Sequence, residues 1–285
     1  MIKSLKYLIQ AIIVYFFLIL ARLIGLTLSR YLFSNLFLIL GKYFKSRKIV
    51  DQNLNIFNPR LQKKEKDIIV SQMWRNYGMT FVEYVFLNLF KKNESHLEII
   101  GERNLKDIIS NKKPVIFVSG HFANFELMSM EIIRKKINLA TIYRPLNNFF
   151  LNPLMEYLRR KYVCKYQIKK GIAGVKNAVN YIKKNYSVAL MIDQRVSEGE
   201  RIDLFKKSAL TTTLPAQLAM KYNLKIIPVF IERRKNKNFK IEFYNEILPT
   251  NFKDRTELTK ELNKVLEKMI ERNPYQWIWT HNRWK

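Results

Sequence analysis

Residues 120–126 read Gly-His-Phe-Ala-Asn-Phe-Glu and follow the apolar run Pro114 to Val118. A histidine and a carboxylate therefore fall where a predicted strand gives way to a predicted helix. Residues five apart on an α-helix are rotated by roughly 140° and face different ways, so His121 and Glu126 can meet only if one lies outside the helix. With His121 in the junction loop and Glu126 in the first or second turn, the carboxylate could fold back and hold the imidazole in one tautomer. A base that activates a hydroxyl needs such a partner. The free N–H groups and positive dipole end of the helix suit an anion or a developing oxyanion in the same space. The spacing alone equally fits a capped helix start whose histidine is merely hydrogen-bonded.

Groups like these must be carried by a rigid frame, and the hydropathy pattern supplies one. Strands are predicted at Leu97 to Ile100, Pro114 to Ser119, Leu139 to Tyr143, Val188 to Ile192, Lys225 to Glu232 and Lys240 to Tyr244. Pro228 inside the fifth of these suggests an edge or bulged position. Helices are predicted over 61–92, 128–135, 152–162, 174–185, 213–222 and 256–272. The alternation from about residue 97 onward predicts one α/β domain with a mostly parallel central sheet flanked by helices. In open sheets of this class ligands collect beyond the carboxyl ends of the strands. Three predicted strands end there in polar clusters: Ser119-Gly120-His121, Tyr143-Arg144-Pro145 and Asp193-Gln194-Arg195. Arg144 is the best candidate to grip a phosphate or carboxylate, because guanidinium pairs bidentately with such groups. Asp193 could orient Arg144 or Arg195, or cap the next turn. Thr211 to Thr213 offer hydroxyls to a substrate, with Thr213 also placed to cap the following helix.

The chain has 285 residues, 48% hydrophobic and 13% aromatic, ample for a folded core. Lysine and arginine number 51 against 23 acidic residues, a net charge of +28 that points to anionic partners. The basic residues are spread along the whole chain with no zinc-finger, RRM or basic-zipper pattern, which argues against nucleic acid. The single cysteine, Cys164, excludes an intramolecular disulfide and a cysteine-rich metal site. There is no His-Glu-x-x-His pattern, no Gly-x-Ser-x-Gly elbow, no phosphate loop and no dinucleotide fingerprint.

The segment Leu5 to Leu28 is strongly apolar, with its uncharged run limited to Tyr7–Ala21. That run covers roughly 22 Å, and becomes long enough to span the ~30 Å hydrocarbon core if Arg22 snorkels. A second apolar patch, Tyr31 to Leu40, is followed by the basic run Lys42, Lys45, Arg47 and Lys48, suited to anionic headgroups. Residues 1–48 are thus expected to form a membrane anchor with a basic juxtamembrane segment, and residues 49–285 the α/β domain. Crossing the bilayer and lying on it are both compatible with this segment.

Four elements in this order resemble the lipid A biosynthesis acyltransferases, the late acyltransferases of lipopolysaccharide assembly within the wider group of glycerolipid acyltransferases. They are Gly120 to Glu126, similar to the family's His-x4-Asp/Glu box; Tyr143 to Asn148; Asp193-Gln194 followed by Thr211 to Thr213; and Trp277 to Lys285. The sequence departs from the family at Ala123, where glycine is usual, at Arg195 to Glu200, at Leu204 to Lys206 and in its final stretch. The resemblance implies transfer of an acyl chain from an acyl carrier protein thioester to a hydroxyl of an anionic glycolipid precursor. His121 would act as general base oriented by Glu126, with Asn124, Arg144, Asp193, Gln194, Arg195 and Thr211 on the substrate side. It implies no metal and no cofactor, no nucleic acid, and a place at the bacterial inner membrane with the site facing the cytoplasm. Another membrane lipid as acceptor, or a non-catalytic basic membrane-binding protein, fits the same residues less fully.

Overall fold

A computed structural model describes residues 2–44, 47–236 and 238–285; Lys45 of the basic run lies outside them. Among the described residues, the amino-terminal part is helical: α1 (Ile2–Ile24), α2 (Leu26–Phe44), α3 (Arg47–Phe57), α4 (Lys63–Glu83) and the short α5 (Leu87–Lys92). Alternation then begins with β1 (Leu97–Ile100), α6 (Lys106–Asn111), β2 (Ile116–Ser119), α7 (Glu126–Arg134) and β3 (Leu139–Tyr143). It continues through α8 (Asn152–Leu158), β4 (Tyr166–Lys169), α9 (Ile172–Lys183) and β5 (Ser187–Met191). The chain closes with β6 (Glu200–Leu204), β7 (Lys207–Thr211), α10 (Leu214–Tyr222), β8 (Ile226–Arg233), β9 (Phe239–Phe243) and α11 (Arg255–Arg272).

One seven-stranded sheet runs β1-β9-β8-β2-β5-β3-β4, and only the β8–β9 pair is antiparallel. This is the expected α/β class with a mostly parallel sheet. The central strands β2 and β8 are buried at every residue and read as near-continuous apolar runs, polar only at their ends (Ser119; Glu232 and Arg233), as strands of a parallel sheet buried on both faces do. Pro228 does not mark an edge. It sits in the middle of the sheet, where the ladder from β8 to β2 ends at the Val118–Pro228 pair and the ladder to β9 begins at Val229. Its missing N–H falls at that change of partner, while its carbonyl accepts from the Tyr244 amide at 2.9 Å.

The β6–β7 hairpin was not foreseen. Its two turn residues, Phe205 and Lys206, both adopt positive φ (53° and 57°) in place of the glycine or asparagine that would announce such a turn. Strand β4, a four-residue edge strand, was also not foreseen.

Helix α2 is not a loose anchor. A Cβ on Gly78 of α4 would fall 2.1 Å from the Phe33 carbonyl oxygen, and one on Gly41 of α2 would fall 2.2 Å from the Trp74 ring, so the two helices need glycine at both crossings. Between them lies a buried charge cluster. Glu83 of α4 is fully buried and meets Arg30 of α2 at 2.6 Å and Arg233 at the end of β8. Burial opposes its charge, but Arg233 and Arg30 outweigh that and hold the carboxyl below its ordinary value.

Candidate active site

Strands β2 and β5 are hydrogen-bonded neighbours, in register at Ser119 and Met191. Two residues beyond each end stand His121 and Asp193, so one ladder delivers both to the same edge of the sheet. Oδ1 of Asp193 lies 2.7 Å from Nδ1 of His121, and Oδ2 accepts the His121 amide at 2.7 Å and the Trp277 indole N–H at 2.9 Å. Gly120 makes the approach possible, since a Cβ there would come within 2.7 Å of the Phe122 ring and 3.2 Å of Oδ2. The Asp193 carboxylate is fully buried. Burial resists its charge, but the His121 imidazole, the two His121 hydrogen bonds and the indole together hold the carboxyl below its ordinary value. A carboxylate on Nδ1 fixes the proton of neutral imidazole there and leaves the lone pair on Nε2. The His121 side chain, 20% exposed, lines the cavity described below.

Glu126, expected to hold the imidazole, forms no hydrogen bond with His121 in this structure. It opens α7, but its Oε1 accepts from the Tyr84 hydroxyl at 2.8 Å and from Arg159 Nε and Nη2 at 2.7 and 2.6 Å. The intervening turn explains the difference. Ala123 takes positive φ (44°), its carbonyl accepts from Thr80 at 3.0 Å and its amide donates to the Gln276 carbonyl at 3.3 Å. The backbone thus keeps a glycine-like conformation despite the alanine, while Asp193, 72 positions away in sequence, sits nearer to the imidazole than the neighbouring carboxylate. Burial opposes the charge of Arg159, yet Glu126 and Tyr84 outweigh it and raise the guanidinium above its ordinary value. Its plane-bearing carbon lies 5.6 Å over the Tyr143 ring.

A cavity of about 650 Å³ opens beside these groups. Its apolar wall includes Phe125, Met128, Leu154, Leu190 and Ile278, and α1 contributes Val14 and Leu18. Its polar and charged lining includes His121, Glu126, Arg144, Arg159, Lys170, Gln194, Thr212 and His281. Arg144 is exposed, with one contact of 3.4 Å to Asn147. Arg144 and Gln194 are therefore brought to the cavity with His121, as the sequence suggested.

Asn124, Arg195 and Thr211 are not among the cavity-lining residues. Asn124 is fully buried and donates to Glu83 at 3.0 Å, which joins the 120–126 loop to the buried charge cluster. The Arg195 amide donates to His281 Nε2 at 2.9 Å, and its guanidinium to the Lys285 carbonyl at 3.1 Å. The Thr211 hydroxyl donates to the Ala209 carbonyl and accepts from Arg283; the next residue, Thr212, faces the cavity instead, as strand alternation at the end of β7 requires. Tyr84 and Arg159 carry no sequence signal of their own, and Trp277 is marked only as the first residue of the final family-like stretch; the packing of α4, α8 and that final segment around the strand ends is what brings all three to the site.

The profile of the family described as bacterial lipid A biosynthesis acyltransferase matches residues 2–285. The lipid A biosynthesis lauroyltransferase of Escherichia coli K12 is 25% identical over 254 residues, covering 86% of this chain and 81% of that protein. The palmitoleoyltransferase of the same strain is 25% identical over 252 residues, covering 85% and 80%. Among solved structures, the 1-acyl-sn-glycerophosphate acyltransferase PlsC of Thermotoga maritima aligns over 89% of this chain and 96% of its own, at TM-score 0.43 and 15% identity.

Proposed function

The chain belongs to the bacterial lipid A biosynthesis acyltransferases, and from that premise we propose that it moves a fatty acyl chain from an acyl carrier protein thioester to a hydroxyl of a lipid A precursor. The observation that carries this reading is the His121–Asp193 couple on the wall of a largely apolar cavity. Nε2 of neutral His121 takes the hydroxyl proton as the hydroxyl oxygen bonds to the thioester carbonyl carbon. Asp193, in the role the sequence suggested for Glu126, stabilises the imidazolium that forms. The tetrahedral adduct collapses with loss of the C–S bond, and the imidazolium returns its proton to the departing sulfur. General-base assistance of this kind is worth about 10²- to 10⁴-fold.

Glu126 enters through Arg159. The Glu126–Tyr84 pair holds the guanidinium against the cavity wall, where with Arg144 and Lys170 it offers positive charge to the phosphate-bearing substrates. Gln194 offers its amide from the same wall, and the apolar wall takes the acyl chain.

The membrane is the third partner. Helix α1 is long and apolar enough to cross a bilayer, yet it is tied to the body along its length. The Tyr7 carbonyl accepts from Asn148, the Tyr15 hydroxyl donates to the Phe150 carbonyl, and Arg22 reaches the Val85 carbonyl and Asn88. Those ties span roughly 22 Å of helix. The opposite face shows Ile9, Ile12, Ile13, Phe16 and Ile19 to the outside, each at least half exposed. We place that face in the cytoplasmic leaflet of the bacterial inner membrane, with α1 lying along the catalytic body. Residues 1–48 then form the membrane-associating segment and 49–285 the catalytic domain, α2 serving both through Arg30.

The test is transfer of labelled acyl chains from acyl carrier protein to a lipid A precursor by the wild type and by His121→Ala. The variant is expected to lose at least about 10²-fold in rate; undiminished transfer would overturn the mechanism.

A further inference from the structure

Trp277 is 1% exposed and does not line the cavity, yet its indole N–H donates to the carboxylate that faces His121. Two other tryptophans fix the ring: Trp279 packs at a right angle 4.7 Å away, and Trp284 lies 6.3 Å away. The backbone around it is tied to the elements that bear the site. The Gln276 side chain bonds both the amide and the carbonyl of Arg233, at 2.7 and 2.8 Å. Asn53 of α3 donates to the carbonyls of Trp279 and His281, both at 2.8 Å, and Arg283 donates to the Leu210 carbonyl and the Thr211 hydroxyl. Segment 276–284 is therefore a strap across the strand ends, and Trp277 is where it touches the chemistry.

The geometry at Asp193 gives that contact a purpose. Oδ2 is held by two donors, the His121 amide and the indole, and Oδ1 is left for Nδ1. A carboxylate so held cannot turn about its Cβ–Cγ bond without losing both donors, so the free oxygen stays in line with the imidazole. We infer that Trp277 is a positioning residue for acyl transfer, acting on His121 through Asp193 and not by touching substrate. The inference rests on the reading of His121 as the base. The other groups facing the carboxylate's charge are engaged elsewhere: Arg283 on Leu210 and Thr211, and the Tyr77 hydroxyl with Thr280 at 3.4 Å.

The experiment replaces Trp277 with 3-benzothienylalanine, which keeps the ring shape and puts sulfur in place of the N–H, and in parallel with phenylalanine. The full-length enzyme is assayed in detergent micelles over a range of pH, beside His121→Ala, Asp193→Asn and Trp279→Phe. Removing one hydrogen bond to the charged group is expected to lower kcat about 10- to 100-fold, with KM for both substrates left in place. The limb on which activity rises as His121 loses its proton should move to higher pH, because a carboxylate relieved of one donor holds the imidazolium proton harder. In the Asp193→Asn background the same replacement should cost nothing further, and Trp279→Phe should lower Tm without moving the limb. Unchanged kcat and pH limb in the benzothienyl enzyme, with His121→Ala and Asp193→Asn both slowed as expected to a measurable residual rate, would overturn the role of Trp277 alone. A full additional loss in the Asp193→Asn background would also overturn it. Near-wild-type activity in His121→Ala or Asp193→Asn would remove the base reading, and this inference with it.

Discussion

Two carboxylates stand near the same loop and face opposite kinds of partner. Asp193 is fully buried, leaves the sheet beside His121 and faces an imidazole; Glu126, five residues from His121, faces a guanidinium and a phenol. The first is coupled to the histidine by strand register across 72 positions, the second is separated from it by the turn at Ala123. Nearness along the chain therefore says less about which acid serves a base than adjacency in the sheet does. In the proposed reaction the two acids have different work: one steadies a proton transfer, the other sets the charge of the cavity wall.

The hardest blow to this contrast would come from Asp193→Asn. An orienting carboxylate lost from a comparable constellation costs about 10⁴ in kcat, and a loss of that order is expected here on protein shown by circular dichroism to be folded. Glu126→Gln should cost less, roughly 10²-fold in kcat/KM, and leave the pH limb of His121 where it is. If Glu126 acts through Arg159, as proposed, the double variant Glu126→Gln/Arg159→Gln should be no worse than the poorer single variant. Additive losses, or a displaced limb, would return Glu126 to the histidine.

A third measurement sharpens the comparison through stability. The folded-state pKa of Asp193 lies below its ordinary value of 3.8, so its contribution is complete above that value and is lost as pH falls through the lowered one. Tm should therefore fall on acidification across this window, and Asp193→Asn should flatten that fall; an unchanged acid limb would count against the coupling. The smallest effect concerns the turn that parts the two acids. Ala123→Gly relieves the cost of a left-handed alanine, about 1–2 kcal/mol, against about 0.4–1 kcal/mol of added unfolded-chain freedom. A rise in Tm of about 1–3 °C with unchanged kcat is expected; a fall in Tm would mean that the methyl group packs better than its backbone suffers.

Much of this was legible beforehand. The apolar runs at β2, β3 and β5 and their polar endings placed His121, Arg144 and Gln194 at one edge, because a parallel sheet aligns its carboxyl ends by construction. Pro228 misled, since a strand interior can hold proline where its ladder changes partner. The β6–β7 hairpin was invisible because Phe205 and Lys206 occupy conformations their side chains do not announce. Glu126 was given to His121 on sequence distance, while Asp193 could be matched to it only once the order of strands was known. Asn124 looked like part of a substrate-facing motif, yet it points into the charge cluster of Glu83, Arg30 and Arg233, which no local pattern reveals.

The β2–β5 ladder has one more consequence. The groups proposed to move the proton descend from adjacent strands in the middle of the sheet, whereas Arg144, Lys170 and the residues of α8 line the cavity from loops and a short helix. On the proposed function, reaction and selectivity are built on separate parts of the frame. A lineage could exchange the acceptor or the length of the acyl chain by rewriting those loops, and leave the proton-transfer pair untouched.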